Sequence, residues 1–373
     1  MRRLLFAISL FATAAQAAAP QPPAVIARSW SVGDLTSGRP LAAEKPDERV
    51  EPASLTKLMT AYLVYSALRG KKLSLGQQVN VSERAWRAPG SRTFIQPGRP
   101  VSVEELIRGM VVQSGNDACI ALAEAVAGSE EAFVQMMNRE AARLGMKNTK
   151  FMNASGLPDP QHYSTARDLY ALAAALIRDF PEQYSQYYSQ REFRYNNITQ
   201  VNRNRLLWLD PSVDGVKTGH TEASGFSLIA SSRRGERRLL SVLLGSTSET
   251  ARAQESLKLL NWGFQFFDAV KLYKGGEQVK ALQVWKGAAA EVKAGLKSDL
   301  VVTVPKGEAE RLKAELVSQQ PLVAPVSKGQ SVALLRVTHD GKALGEFPLV
   351  ALEPVGAAGI FGRAWDTLRL WIK

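Results

Sequence analysis

Hydrophobic and polar positions change their period repeatedly along this chain, and the changes divide it into regions. Residues 24–32 alternate, residues 34–38 form a turn, and a second alternating run begins at Leu41, which predicts a strand pair. The period then lengthens. Residues 54–68 bring Leu58, Tyr62 and Tyr65 near one face and close on Arg69-Gly70, which predicts a helix. Residues 71–101 are polar and broken by Pro89, Gly90, Pro97, Gly98 and Pro100. Helical spacing returns at 103–112, 117–126, 133–144 and 165–178, with a loop at 153–160, and residues 184–195 read as aromatic and strand-like. Three strands joined by tight turns follow at 215–221, 225–232 and 238–245, then a helix at 257–267.

A helical block between an early strand pair and a late run of strands predicts one mixed α/β domain whose sheet is built from both ends of the segment. After Phe267 the pattern shortens to alternating runs at 278–284, 300–304, 332–338 and 349–352, which predicts a small all-β domain with a helical insertion near 308–317. In residues 360–373, Phe361, Trp365, Leu368 and Ile372 share one helical face, with Ala364 and Trp371 at its edge and Arg363, Asp366, Arg369 and Lys373 opposite. Fourteen residues are too few to span a bilayer, but they suit an amphipathic helix lying on an anionic membrane surface. The expected organisation is therefore 1–17, 18–267, 268–355 and 356–373.

Residues 1–17 read as a secretory signal: Arg2 and Arg3, an apolar stretch at 4–13, and Ala15-Gln16-Ala17 as cleavage site. Its removal lowers the formal charge from +12 to +10. The expected location is the periplasmic face of the inner membrane. A chain exported with this charge suits an anionic membrane or an anionic wall polymer, and the absence of a basic run or binding motif argues against nucleic acid. The single cysteine, Cys119, permits no internal disulfide and reads as a small buried side chain.

Three short motifs carry candidate chemistry. In Ser54-Leu55-Thr56-Lys57 the lysine lies one helical turn from the serine, so an uncharged amine can take the hydroxyl proton. Neutrality requires burial or a nearby cation, and Lys217 is the candidate cation. Ser114-Gly115-Asn116 sits at a helix junction, where capping is the plain structural role. Its chemical role is proton passage by Ser114 and orientation of lysine and substrate amide by Asn116. Lys217-Thr218-Gly219 falls on a strand. Lys217 and Thr218 suit a substrate carboxylate, Gly219 the close approach of a bound peptide, and the backbone N–H groups of His220 and Ser54 an oxyanion. His162, His220 and His339 have no metal-ligand spacing, no Gly-x-Ser-x-Gly elbow occurs, and no cofactor is expected.

With these motifs in order, the chain resembles the low-molecular-mass penicillin-binding proteins of type 5 and 6, the serine D-alanyl-D-alanine carboxypeptidases. The likeness rests on Glu-Pro-Ala-Ser-Leu-Thr-Lys at 51–57, Ser-Gly-Asn-Asp-Ala-Cys at 114–119, Asp-Gly-Val-Lys-Thr-Gly-His-Thr at 214–221 and Lys-Leu-Leu-Asn-Trp-Gly-Phe-Gln-Phe-Phe at 258–267. It implies a β-lactamase/transpeptidase-like domain, with an antiparallel sheet flanked by helices, a β-rich second domain and a terminal amphipathic anchor. It further implies an acyl-enzyme on Ser54, Lys57 as base, Ser114 and Asn116 completing the site, and Lys217 binding substrate. Arg252 matches an arginine that binds the substrate carboxylate in relatives. The partners implied are peptidoglycan stem peptides and β-lactam antibiotics. No glutamate comparable to the deacylating residue of class A β-lactamases is identifiable, which argues against efficient β-lactam hydrolysis and leaves Lys57 as the candidate base for deacylation. Endopeptidase, transpeptidase or β-lactamase action on the same scaffold, and a non-catalytic wall-binding role, are the alternatives.

Overall fold

The structure is a computed structural model that describes residues 20–318 and 320–372; the signal segment read at 1–17 lies outside the described residues. A five-stranded antiparallel sheet organises the first domain. Its order is Arg39–Glu44, Ser29–Asp34, Arg237–Ser246, Gly225–Arg234, Val213–Thr221. The sheet is thus closed by both ends of the domain, and the strand carrying Lys217-Thr218-Gly219 lies at its edge. An edge strand keeps unpaired backbone groups on one side, which is what an extended peptide needs in order to add to the sheet.

The helical block packs into one large core. The Lys57–Arg69 helix buries Leu58, Met59, Tyr62 and Tyr65 against the helices Asn116–Ala127 and Ala166–Asp179. Thr165 caps the latter by accepting the Asp168 N–H at 3.1 Å, so a polar residue marks the start of a strongly amphipathic run. On the other sheet face, Leu259, Leu260 and Trp262 of the Glu249–Phe266 helix pack on Leu239, Leu243 and Trp30.

Two expectations are corrected. The aromatic stretch from Tyr184 begins as a helix, Pro181–Tyr187, and becomes a strand only at Glu192–Tyr195. Pro181 at the first helical turn sets the helix, and Tyr184, Tyr187 and Tyr188 are buried, Tyr187 stacking on Tyr65 with ring centroids 6.4 Å apart. In the second domain the predicted helix near 308–317 is a single tight turn, Ala309–Arg311, followed by a strand, Leu312–Ser318. That strand pairs with Ser331–His339 from Leu312↔His339 to Ser318↔Ala333. A stretch rich in Leu, Glu, Lys and Ala favours a helix locally, but here it completes a sheet edge, and long-range pairing overrides propensity.

The second domain holds a six-stranded sheet and a two-stranded pair, Phe267–Tyr273 with Leu300–Pro305, around its own apolar core. A polar knot joins the domains. Asp34, fully buried, accepts from Arg237 Nε at 2.6 Å and from the Thr303 hydroxyl at 3.0 Å, and Arg237 also donates to the Phe267 and Gly263 carbonyls. The terminal Ile360–Ile372 helix turns Asp366 toward the β domain, where its carboxylate accepts the Lys286 N–H at 2.6 Å, and the Arg369 guanidinium lies 6.0 Å from the Trp285 ring. Trp365 and Ile360 face outward, 65% and 75% exposed. The side chains of Phe361, Ala364, Leu368, Trp371 and Ile372, and Lys373, lie outside what is described. Among the described residues no helix is long and apolar enough to cross a membrane.

Candidate active site

Ser54 sits in a 3₁₀ turn, Ala53–Thr56, that runs directly into the Lys57–Arg69 helix. In a 3₁₀ turn residues three apart eclipse one another, which brings serine and lysine closer than an α-helix would. Lys57 Nζ lies 3.0 Å from Ser54 Oγ. It also donates to Asn116 Oδ1 at 2.7 Å and to the Ser155 carbonyl at 2.5 Å, so all three ammonium donors are used. The turn is held in an uncommon conformation: Ala53 has φ +48°, and Ser114, across the site, has φ +68°. Non-glycine residues in this region are costly, and they persist where the surroundings over-determine them.

Three further segments build the walls. Asn116 begins its helix, accepts from Lys57 and donates Nδ2 to the Pro89 carbonyl at 2.6 Å. Its own N–H bonds the Ser91 carbonyl at 2.7 Å. Asp117, fully buried, accepts the N–H groups of Thr93, Phe94 and Ile95. These bonds clamp the polar 89–95 segment, which has no regular structure of its own, against the Ser114-Gly115-Asn116 corner. Opposite, the Val213–Thr221 strand passes against the serine turn. A Cβ on Gly219 would lie 3.1 Å from both the Pro52 carbonyl oxygen and Leu55 Cγ. Gly219 therefore serves close packing against the nucleophile's own turn, in addition to any approach by a ligand.

The resulting cleft, about 560 Å³, is lined by Ser54, Asn116, His220, Ser155, Gly156 and Arg203, with Glu51 and Glu222 at its rim. Ser114 is buried, and its hydroxyl has no hydrogen-bond partner among the described residues. Lys217 and Thr218 are also buried, and Lys217 Nζ reaches the Thr218 carbonyl at 3.1 Å. His220 stacks on Phe226, with ring centroids 4.1 Å apart. Arg252 is buried behind the wall, donating to the Arg203 carbonyl at 3.3 Å and to Glu249 at 3.2 Å. Arg252 thus stands behind the segment from which Arg203 enters the cleft.

Burial dominates the electrostatics. It lowers Lys57 to about 8, and the cation that lowers it further is Arg203. The sequence-based expectation gave that part to Lys217. Lys217 is itself held well below the usual lysine range, first by burial and then by Lys57, so two buried amines share a region that disfavours a second proton. Burial pushes the Cys119 thiol up to about 12, leaving it an inert packing group. His162, bonded through Nε2 to the Thr56 hydroxyl at 3.0 Å, is lowered by burial to about 4 and is neutral beside the lysine.

Sequence reasoning missed Arg203, the Ser155 carbonyl, Gly156 and the clamp by Asp117. Gly156 had a visible signal in the Asn-Ala-Ser-Gly turn, where φ is +85°; Arg203 had none beyond its place in a polar loop.

A hydroxyl within reach of a buried amine that gives up its proton more readily than an ordinary lysine, backed by an amide oxygen on that amine, defines a serine acyl-transfer enzyme. Residues 15–248 match the D-alanyl-D-alanine carboxypeptidase family, and residues 267–357 match the C-terminal domain of penicillin-binding protein 5. The chain is 44% identical to D-alanyl-D-alanine carboxypeptidase DacC of Escherichia coli (strain K12) over 367 residues, 96% of this chain and 92% of that one. It superposes on penicillin-binding protein 5 from Haemophilus influenzae with a TM-score of 0.85 at 40% identity, covering 90% of this chain and 99% of the other. An ampicillin-bound structure of penicillin-binding protein D2 from Listeria monocytogenes aligns at TM-score 0.59 and 31% identity over 64% of this chain and 98% of that one. The chain belongs to the serine-type D-alanyl-D-alanine carboxypeptidases of penicillin-binding protein 5/6 type, and it has their mixed α/β fold with a C-terminal β domain.

Proposed function

We propose that this carboxypeptidase removes the terminal D-alanine from peptidoglycan pentapeptide stems through an acyl-enzyme on Ser54. The observation that carries the assignment is the position of Lys57: buried, 3.0 Å from Ser54 Oγ and 2.7 Å from Asn116 Oδ1. In its neutral form Nζ accepts the Ser54 proton as Oγ attacks the carbonyl carbon of the penultimate D-alanine. The backbone N–H groups of Ser54 and His220 are the donors for the oxyanion. As the C–N bond breaks, the proton passes from Lys57 through the Ser114 hydroxyl to the amine of the departing D-alanine. Water, deprotonated by Lys57, then opens the ester and regenerates Ser54. Thr218, Lys217 and Arg203 hold the substrate's terminal carboxylate, with Arg252 positioning Arg203 from behind. A β-lactam carbonyl is attacked by the same serine.

The protein acts, in this reading, after export, at the periplasmic face of the inner membrane, with its terminal helix resting on an anionic bilayer. The outward Trp365 and Ile360, set against Asp366 bonded to the β domain, support that orientation. Two measurements test the proposal. Mass spectrometry after penicillin treatment is expected to show one adduct, on Ser54, absent in Ser54→Ala, and a folded protein left unmodified at Ser54 refutes the acyl-enzyme. Vesicle flotation with and without residues 356–373 is expected to show membrane binding only in the longer form.

A further inference from the structure

Seven arginines and one carboxylate, Glu192, occur in two segments beside the cleft, residues 86–100 and 190–205. The segments are physically joined. Gln200 Nε2 donates to the Arg92 carbonyl at 2.9 Å, tying the Glu192–Tyr195 and Ile198–Val201 hairpin to the wall that Asn116 and Asp117 clamp. Arg99 is exposed in the turn that follows the clamped 89–95 segment, its N–H bonded to the Gln96 carbonyl at 3.2 Å, which places it on the same stretch of lip. Arg205 bonds the Thr250 hydroxyl at 3.2 Å beside exposed Trp208 and Val201, in a depression of about 540 Å³. Elsewhere on the catalytic domain arginines are largely paired with acids: Arg28, Arg84, Arg143, Arg167, Arg234, Arg237 and Arg238 all are. On the lip, Arg92, Arg99, Arg194 and Arg205 make no ion pair among the described residues, and only Arg87 has one, with Glu83. A run of cations without acidic partners is costly to self-repulsion unless an external anion relieves it.

We propose that this arginine lip is a docking surface for polymeric peptidoglycan, an anionic glycopeptide in which every neighbouring stem ends in a free carboxylate. The proposal rests on the carboxypeptidase reading above and adds to it a site for stems that are not being cleaved. The lip borders the mouth through which the reacting stem enters, so adjacent stems of the same strand come within its field. Exposed Phe94, Ile198 and Trp208, 40%, 40% and 44% exposed, give apolar faces between the charges that suit sugar rings. A single short peptide reaches only the cleft and gains little from the lip. A polymer engages several guanidinium groups at once, and such steering raises encounter rates by roughly 10–10³ while falling steeply with salt.

The test compares D-alanine release from un-cross-linked, pentapeptide-bearing glycan strands with release from the tripeptide Nα,Nε-diacetyl-L-Lys-D-Ala-D-Ala, at about 20 and about 300 mM salt, where screening differs several-fold in length. In the wild type, kcat/KM on the polymer is expected to drop roughly tenfold between the two salts, and on the tripeptide less than about twofold. The variant R92Q/R99Q/R194Q/R205Q is expected to lose most of the polymer's salt dependence and low-salt advantage while keeping wild-type tripeptide turnover, which also shows that it is folded. The corresponding four lysine substitutions are expected to retain the effect, since charge carries it. Equal salt dependence for both substrates, or a glutamine variant that behaves like wild type on the polymer, overturns the proposal. So does a variant unchanged on polymer but released from phosphatidylglycerol-containing vesicles, since the lip would then face lipid. Tripeptide turnover with no lip effect defeats the lip alone, whereas release from neither substrate defeats the carboxypeptidase reading and the lip with it.

Discussion

Replacing Gly156 by alanine tests how tightly the nucleophile's turn is held. Gly156 has φ +85°, and a Cβ built on it would lie 1.8 Å from the Ala53 carbonyl oxygen, 2.3 Å from the Ala53 carbonyl carbon and 3.0 Å from the Ser54 nitrogen. Real Cβ atoms essentially never come within 3.0 Å of such atoms, so the two backbones must part by at least about 1.2 Å. Neither side can yield harmlessly. One carries Ser54; the other carries the Ser155 carbonyl that holds Lys57 Nζ at 2.5 Å. A displacement of about 1 Å between reacting groups costs on the order of 10²-fold in rate. The left-handed backbone adds about 1–2 kcal/mol of destabilisation. Gly145→Ala is the control: its φ is +75°, but its Cβ would meet nothing within 4 Å, so it bears the backbone cost alone. The assay is the second-order rate of Ser54 acylation by a fluorescent penicillin, with thermal unfolding of each variant measured alongside. Gly156→Ala is expected to lose about two orders of magnitude in acylation, and Gly145→Ala to lose stability with acylation within about threefold of wild type. If Gly156→Ala acylates as fast as Gly145→Ala, the turn is not held by this contact and the reasoning is wrong.

Other perturbations follow from the same geometry. Because burial holds Lys57 near 8, the base is already protonated at lower pH, and acylation is expected to fall roughly tenfold per unit below that value and level off above it; a flat profile between about pH 6 and about pH 9 contradicts Lys57 as base. Asp117→Ala leaves the Thr93, Phe94 and Ile95 N–H groups without their buried acceptor, and is expected to cost about 2 kcal/mol in urea unfolding and to slow acylation by loosening the cleft wall. Asp34→Ala strands the Arg237 guanidinium at the domain junction, an expected loss of about 3 kcal/mol by urea unfolding, while tripeptide turnover at a temperature where the variant is folded stays near wild type.

Much of this arrangement was legible because the residues that carry it obey local rules. The Ala166–Asp179 helix announces itself by a threonine cap and a regular apolar face, and the three antiparallel strands by short runs joined by tight turns. Ser54 and Lys57 are three residues apart, so their meeting needed only one turn of helix. What escaped was set by distant partners. Residues 312–318 carry helix-forming side chains yet join a sheet because Ser331–His339 offers an open edge. Arg203 lies in an irregular loop, and only the fold turns it toward Lys57. The second role of Gly219 is invisible without the Pro52 carbonyl that it abuts.

The lone thiol has a practical corollary. Cys119 is sealed in the core, and burial keeps it protonated through the whole working range of maleimide chemistry. A cysteine engineered onto the surface would therefore be the sole reactive sulfur in the molecule, with no need to delete the native one. Pairs of such handles, one near Ile198 and one on the β domain, would let spectroscopic rulers follow how far the catalytic mouth stands from a lipid bilayer while the enzyme turns over.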